Sequence, residues 1–226
     1  IIGAGGAAHV LPLDLAREGA ASDIMQFLDN RDLYCDVLVN NAGYGLVGPA
    51  DQLDRADQLG LIALNVRAMT DLSLTMLPGM MARRRGGIIH VGSVASFLPG
   101  PYMATYYASK AFVRSFSEAL WEECRRAGVV ITALCPGPVE TGFFERATGH
   151  TAKPRLFQLL PNDDARAVAQ KGWRGFRGKR RMVVPGAINK IVVYGARFVP
   201  TFIVLWAVRK LQKRRSQSTS SGKADA

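Results

Sequence analysis

Residues 93–110, SVASFLPGPYMATYYASK, concentrate the side chains best suited to moving a proton. Residues four apart stack on one face of a helix, so a helix from Thr105 onward sets Tyr106 and Lys110 side by side. A phenol titrates near about pH 10 and exchanges protons poorly at neutrality; a nearby ammonium favours the phenolate and draws that value toward the working pH. The pair therefore reads as an acid with its tuner. Ser93 adds a third polar group. It follows the apolar run Gly87-Ile88-Ile89-His90-Val91-Gly92, which reads as a strand, and so sits at the strand end facing the helix start. Taken alone, a Tyr and a Lys four apart are an ordinary surface pair of many helices.

The elements that must position these groups alternate between strand and helix patterns. Residues 36–40 (DVLVN) form a continuous apolar strand, as expected in a parallel sheet covered on both faces, and Asn41-Ala42-Gly43 follow at its carboxyl end. An amphipathic helix over about 53–84 contains Asn65, a poor interior helical residue that tends to hydrogen-bond backbone, and Pro78-Gly79 is expected to bend or break it. The helix carrying Tyr106 is predicted over about 105–127, with Phe112, Phe116 and Leu120 as a packing stripe. Residues 129–135 read as another buried strand, ended by Pro136-Gly137. Residues 162–179 read as a helix with an Asn or Asp cap, and residues 182–186 as a last strand and turn. The pattern is that of an α/β doubly wound parallel sheet, which binds ligands at the carboxyl ends of its strands.

Taken together, Ser93, Tyr106 and Lys110, the Asn41-Ala42-Gly43 turn, Asn65 and the run Pro136-Gly137-Pro138-Val139-Glu140-Thr141 resemble, in order and spacing, the short-chain dehydrogenase/reductase family. The resemblance runs from about His9 to Gly186 and implies a Rossmann-like parallel sheet flanked by helices. It also implies hydride transfer between NADP or NAD and a small-molecule carbonyl or alcohol. On that resemblance Tyr106 exchanges the proton, Ser93 hydrogen-bonds the substrate oxygen and Lys110 lowers the Tyr106 pKa. Asn65 kinks its helix and holds a water linking Lys110 to solvent. Tyr106 and Lys110 also contact the cofactor, Lys110 at the nicotinamide ribose. Asn41, Ala42 and Gly43 approach its adenosine half, while Val139 and Thr141 close over the nicotinamide carboxamide by backbone and hydroxyl respectively.

Residues 9–15 (HVLPLDL) match the family's third strand, with Asp14 contacting the adenine and Leu15 beside it; equally, Asp14 could cap a helix over about 16–28. Gly3-x-Gly5-x-x-Ala8 formally matches a dinucleotide fingerprint, but only two residues precede Gly3, and Pro12 interrupts any helix begun at Ala7. The first strand-helix-strand unit of the fold, roughly 30 residues, is therefore expected to be absent, an N-terminal truncation that leaves apolar surface and unpaired strand edges exposed. Two further readings follow: a catalytically silent remnant unable to bind cofactor, and a membrane-surface adaptor.

The formal charge of +11 and pI near 10.0 invite a nucleic-acid reading, but the basic clusters at 83–85, 174–181 and 209–215 lack the interleaved aromatics of a stacking platform. No nucleic-acid partner is expected. Cys35, Cys124 and Cys135 are widely spaced without Cys-x-x-Cys, which favours reduced thiols in a cytoplasmic setting, and the histidines show no ligand spacing, so no metal is expected. Residues 1–189 are assigned to the truncated dinucleotide-binding domain, 190–215 to an apolar and basic helical extension, and 216–226 to a disordered tail. The run 191–208 has 18 residues, including Arg197 and Pro200, against the roughly 20 apolar residues a span needs, so a core-packing or interfacial helix pair is favoured over insertion, with peripheral membrane contact as the alternative. A lipophilic substrate is inferred from that extension, and a homodimer from the family resemblance.

Overall fold

β-branched and aliphatic runs supply a parallel sheet: β1 (Val37–Asn40), β2 (Gly87–Val91), β3 (Val130–Leu134) and β4 (Met182–Val183), in that spatial order. These coordinates are a computed structural model that describes residues 3, 5–139, 143 and 163–213. The register is regular, with Val37 opposite Gly87 and Gly87 opposite Val130. Helices fill every crossover, as parallel strands require. They are α1 (Ala20–Asp29), α2 (Arg55–Ile62), α3 (Met69–Arg83), α4 (Ala104–Cys124), α5 (Ala165–Arg177), α6 (Ala187–Gly195) and α7 (Thr201–Lys213).

Side-chain alternation along β2 divides the core into two layers. Ile88 packs with Met76, Met80, Leu120, Cys124 and Ile131 beneath α3 and α4, whereas Ile89 packs with Leu134, Val168 and Phe176 beneath α5. His90 returns to the first layer. α6 belongs to the body of the molecule, because Val193 packs with Val94, Ala133, Cys135 and Val184. The boundary drawn between 189 and 190 therefore lies inside a packed helix; residues 216–226 lie outside the described residues.

Three expectations need correction. Residues 9–13 form no strand: Val10 is 82% exposed. The reason is the lack of a partner, since β1 pairs with β2 and no strand of the described residues lies along its other edge. For the same reason β1 is not covered on both faces, and Val39 stays 54% exposed. Pro78 does not break its helix, which runs on to Arg83. The helix over residues 55–83 is instead interrupted by a π-helical turn, Ala63–Ala68, which contains Asn65. Such one-turn widenings replace i→i+4 bonds and often sit at functional sites.

Candidate active site

Ser93 leaves β2 in extended conformation and caps a 3₁₀ turn, Val94–Phe97. Its oxygen accepts from the Ala95 amide at 3.1 Å, while the Ser96 hydroxyl receives the Ser93 amide at 3.2 Å. With its oxygen occupied by an amide, Ser93 has its hydroxyl proton to give, and it faces the Tyr106 phenol, whose pKa it draws downward. Tyr106 lies in the first turn of α4, so the strand end and the helix start bring the two hydroxyls together. One turn further, Lys110 donates to the Val91 carbonyl at 2.8 Å, and its Nζ lies 5.9 Å from the centre of the Tyr106 ring. A phenol, a hydroxyl and an amine from separate stretches thus converge at the carboxyl rim of the sheet.

Asn65 closes the cluster from the π turn. Its Oδ1 accepts from the Tyr44 amide at 3.1 Å, and its Nδ2 donates to the Tyr44 carbonyl at 2.9 Å and to Ser109 Oγ at 3.1 Å. Ser109 in turn donates to the Tyr106 carbonyl at 2.7 Å. The amide therefore ties the loop after β1 to α4. Gly43 explains its own identity here: a β-carbon would stand 2.8 Å from Asn65 Oδ1 and 3.6 Å from Lys110 Nζ.

Electrostatics differ from the sequence expectation. Burial pushes Tyr106 up to about 12, with only the Ser93 hydrogen bond opposing it, and burial draws Lys110 down to about 8. The ammonium does not tune the phenol in this arrangement, because its bond is directed at the Val91 carbonyl and desolvation dominates. The neighbouring Cys135 thiol is also pushed up to about 12 by burial, so it stays neutral and inert. Tyr106 is covered: the Phe143 ring lies 5.3 Å from its own, centre to centre, and both crowd Gly45.

The other sequence-flagged residues lie along the same rim. Asn41 and Ala42 are exposed at the end of β1 and, with Leu15, border a cavity of about 210 Å³. Leu15 also borders a larger cavity of about 540 Å³ beside Leu74 and Phe112. Neither cavity is lined by Ser93, Tyr106 or Lys110. Asp14 is exposed, and its carboxylate accepts from the Ala16 amide at 2.9 Å in a local turn, whereas Gly19 occupies the N-cap of α1. Val139 pairs with Asp163 in a single parallel bridge. Thr141 lies outside the described residues. Among the described residues no group of His, Cys, Asp and Glu could hold a metal ion.

Two polar residues escaped the sequence reading. His90 is buried with both ring nitrogens bonded, to Ser73 Oγ at 2.9 Å and Ser117 Oγ at 2.8 Å. Asn189 is buried in α6. It carries the same signal as Asn65, an amide inside a helix, and could have been found by it.

Comparison with known proteins decides the family. The model for short chain dehydrogenase matches residues 2–151. The chain belongs to the short chain dehydrogenase family. A short chain dehydrogenase of Pseudocercospora fijiensis is 32% identical over 74% of this chain and 56% of its own length. A very-long-chain 3-oxoacyl-CoA reductase of Coprinopsis cinerea is 39% identical over 60% of this chain and 39% of its own. The solved short-chain dehydrogenase of Sphingobium yanoikuyae, in complex with NADPH, superposes with a TM-score of 0.73 at 25% identity, over 100% of this chain and 80% of that one. The chain spans only 38% to 57% of the length of the curated relatives it matches. The Rossmann-like α/β sheet expected from the sequence is thus the fold observed and the fold of its family.

Proposed function

We propose that this short chain dehydrogenase is an NAD(P)-dependent reductase of small carbonyl compounds, with Tyr106 as proton donor. The observation that carries the reading is the convergence of buried Ser93, Tyr106 and Lys110 at the sheet rim, with Lys110 one helical turn from the phenol ring. The residues present suit a dinucleotide. Asn41, Ala42 and Leu15 border a cleft fit for the adenosine half, to which Asp14 is also assigned, Gly43 lies beside Asn65 and Lys110, and Lys110 spends one of its three N–H donors on Val91, leaving others for ribose hydroxyls. Val139 and Thr141 are assigned to the carboxamide end. When bound, the reduced nicotinamide supplies the hydride that the carbonyl carbon receives.

The chain's own residues handle the rest. Ser93 donates a hydrogen bond to the carbonyl oxygen, and Tyr106 transfers its proton to that oxygen, so that C=O becomes CH–OH and the phenol becomes phenolate. A phenol held at about 12 is fully protonated at neutral pH, which suits the reducing direction. Lys110, through the Asn65 end of the cluster, then returns the proton from solvent to the phenolate. Entry of the carbonyl compound requires the Phe143 ring to leave the face of Tyr106.

Features outside the site extend the reading. Phe198 (85% exposed) and Phe202 (71% exposed) continue a stripe from Ile188, Ile191 and Tyr194 to Trp206, next to Arg209 and Lys210. No helix among the described residues is long and apolar enough to cross a membrane. That stripe supports peripheral contact with an anionic bilayer surface from the cytoplasmic side and a lipophilic substrate delivered from it. Exposed Leu74 and Phe112, on α3 and α4, suit a homodimer. The division at 189 and 215 is kept as a functional one: dinucleotide unit, membrane-facing extension, tail.

The test is titration of the full chain with NADPH, followed by fluorescence of Trp121, Trp173 and Trp206, then turnover of a medium-chain ketone. Saturable quenching and NADPH oxidation that disappears in Tyr106→Phe are expected. Absence of any saturable change favours the silent remnant; vesicle binding without turnover favours the adaptor.

A further inference from the structure

Asn189 joins three separate stretches of chain. Its Nδ2 donates to the Pro185 carbonyl at 2.9 Å and to Asp163 Oδ2 at 3.3 Å. Asp163 is itself bound to the turn 136–139, since its amide donates to the Pro138 carbonyl at 3.0 Å and it pairs with Val139. The amide of Asn189 also lies directly on the turn. A β-carbon at Gly137 would stand 2.5 Å from Nδ2 and 2.6 Å from Oδ1, so only glycine leaves room for that approach. Gly186, with φ of +83°, gives way on the other side, where a β-carbon would stand 2.9 Å from Nδ2.

Local stability argues against an asparagine here. The residue is 1% exposed inside a helix whose other inward side chain, Val193, is apolar, and its Oδ1 has no hydrogen-bond partner among the described residues. A buried acceptor without a donor costs free energy, and Asn is a poor helix former. What the amide contributes is therefore its connections, not its packing.

We infer that Asn189 is a positioning residue that clamps the turn 136–139 to α6 and so fixes the backbone meant to close over the nicotinamide end of a bound dinucleotide. The last clause rests on the function proposed above; the clamp itself does not. It makes the carboxyl-terminal helix part of the site's framework. The same helix turns Ile188 and Ile191 outward and Asn189 inward, so the apolar stripe and the turn are held by one rigid element.

Amide hydrogen exchange of the full chain, with cofactor kinetics beside it, tests the clamp. Asn189→Ala is compared with Val193→Ala, a truncation on the same helix that leaves the turn's bonds untouched. The Asp163 amide should exchange at least about tenfold faster in Asn189→Ala than in Val193→Ala. NADPH KM should rise at least about fivefold while kcat changes less than about twofold. Should Asn189→Ala fail to fold, Asn189→Asp keeps the shape but sets two carboxylates together, and adding Asp163→Asn restores a donor facing an acceptor. The single change should loosen the Asp163 amide and the double change should recover most of its protection. Equal exchange in the Asn189 and Val193 variants overturns the clamp, as does a double change that recovers nothing. Loosening without any change in NADPH KM upholds the clamp and removes the nicotinamide from that turn.

Discussion

Two buried polar clusters border β2, and they obey opposite rules. At His90, every donor finds an acceptor. Asn40 Nδ2 donates to Ser73 Oγ at 3.0 Å, Ser73 faces His90 Nε2, and His90 Nδ1 faces Ser117, which donates to the Val113 carbonyl at 2.5 Å. With the hydrogen on Nδ1, the order runs from His90 through Ser117 to Val113, while Ser73 divides its one proton between the Met69 carbonyl at 2.6 Å and Nε2. Three residues further on, the rim holds Tyr106 pushed up to about 12, Lys110 drawn down to about 8, and an ammonium with a single carbonyl acceptor. Fully satisfied networks lock a core, whereas groups with shifted pKa values and spare valences are poised for a ligand. The difference sets a locked cluster apart from a poised one on a single strand, and mutation can test it.

Tyr106→Phe should produce the largest effect. Loss of a positioned general acid costs about 10²- to 10⁴-fold in rate, so carbonyl reduction should fall by that factor while the fluorescence titration with NADPH is unchanged. The thermal midpoint should hold, since the ring packing stays. Retained turnover would place the proton donor elsewhere and dissolve the contrast between the clusters.

Acid titration probes the other cluster. Burial lowers His90 from its ordinary 6.5 to about 4, so the folded state prefers the neutral ring. Stability is then fully present above pH 6.5 and is lost as pH falls from there to about 4, where the folded state protonates too. The loss amounts to about 3 kcal/mol. Urea unfolding at pH 7 and pH 4.5 measures it, and in His90→Leu that acid step should shrink while NADPH binding at pH 7 persists. An unchanged step would mean another group drives it.

How much of this was legible beforehand follows from the physics of each signal. Residues 36–40, 87–92 and 129–135 read correctly as strands because short β-branched and aliphatic runs carry their own strand signal, even though 36–40 lies at the uncovered edge. α4 was legible nearly to the residue, observed over Ala104–Cys124 with a 3₁₀ turn, Arg125–Ala127, beyond it. Residues 9–13 misled because a strand pattern is only half of a strand; the hydrogen-bonding neighbour is the other half. The convergence of Ser93, Tyr106 and Lys110 was carried by spacing. The pKa directions were not, because desolvation depends on what covers a group, and the cover on Tyr106 includes Phe143 from a distant stretch. His90 was hidden for a related reason, since a polar residue in an apolar strand shows its partners only once three elements have packed; Asn189 carried a signal, but its partners were equally out of view.

The smallest expected effect isolates that cover. If burial alone sets the Tyr106 pKa, Phe143→Ala should let water onto the phenol and lower its value from about 12 toward 10, by about one unit. The measurement is phenolate absorbance in alkaline titration, with Phe143→Ala compared against the Phe143→Ala, Tyr106→Phe double change so that the other tyrosines cancel. Lost ring packing should cost only about 1–2 kcal/mol, because Phe143 is half-buried. The His90 acid step should not move, since its hydrogen-bond partners, Ser73 and Ser117, lie on α3 and α4 outside the core cluster that Phe143 packs against. A pKa left near 12 would assign the shift to the walls supplied by Met103, Tyr107 and Leu61 instead. The rim would then be as closed as the His90 network, and the distinction between a locked cluster and a poised one would rest on Lys110 alone.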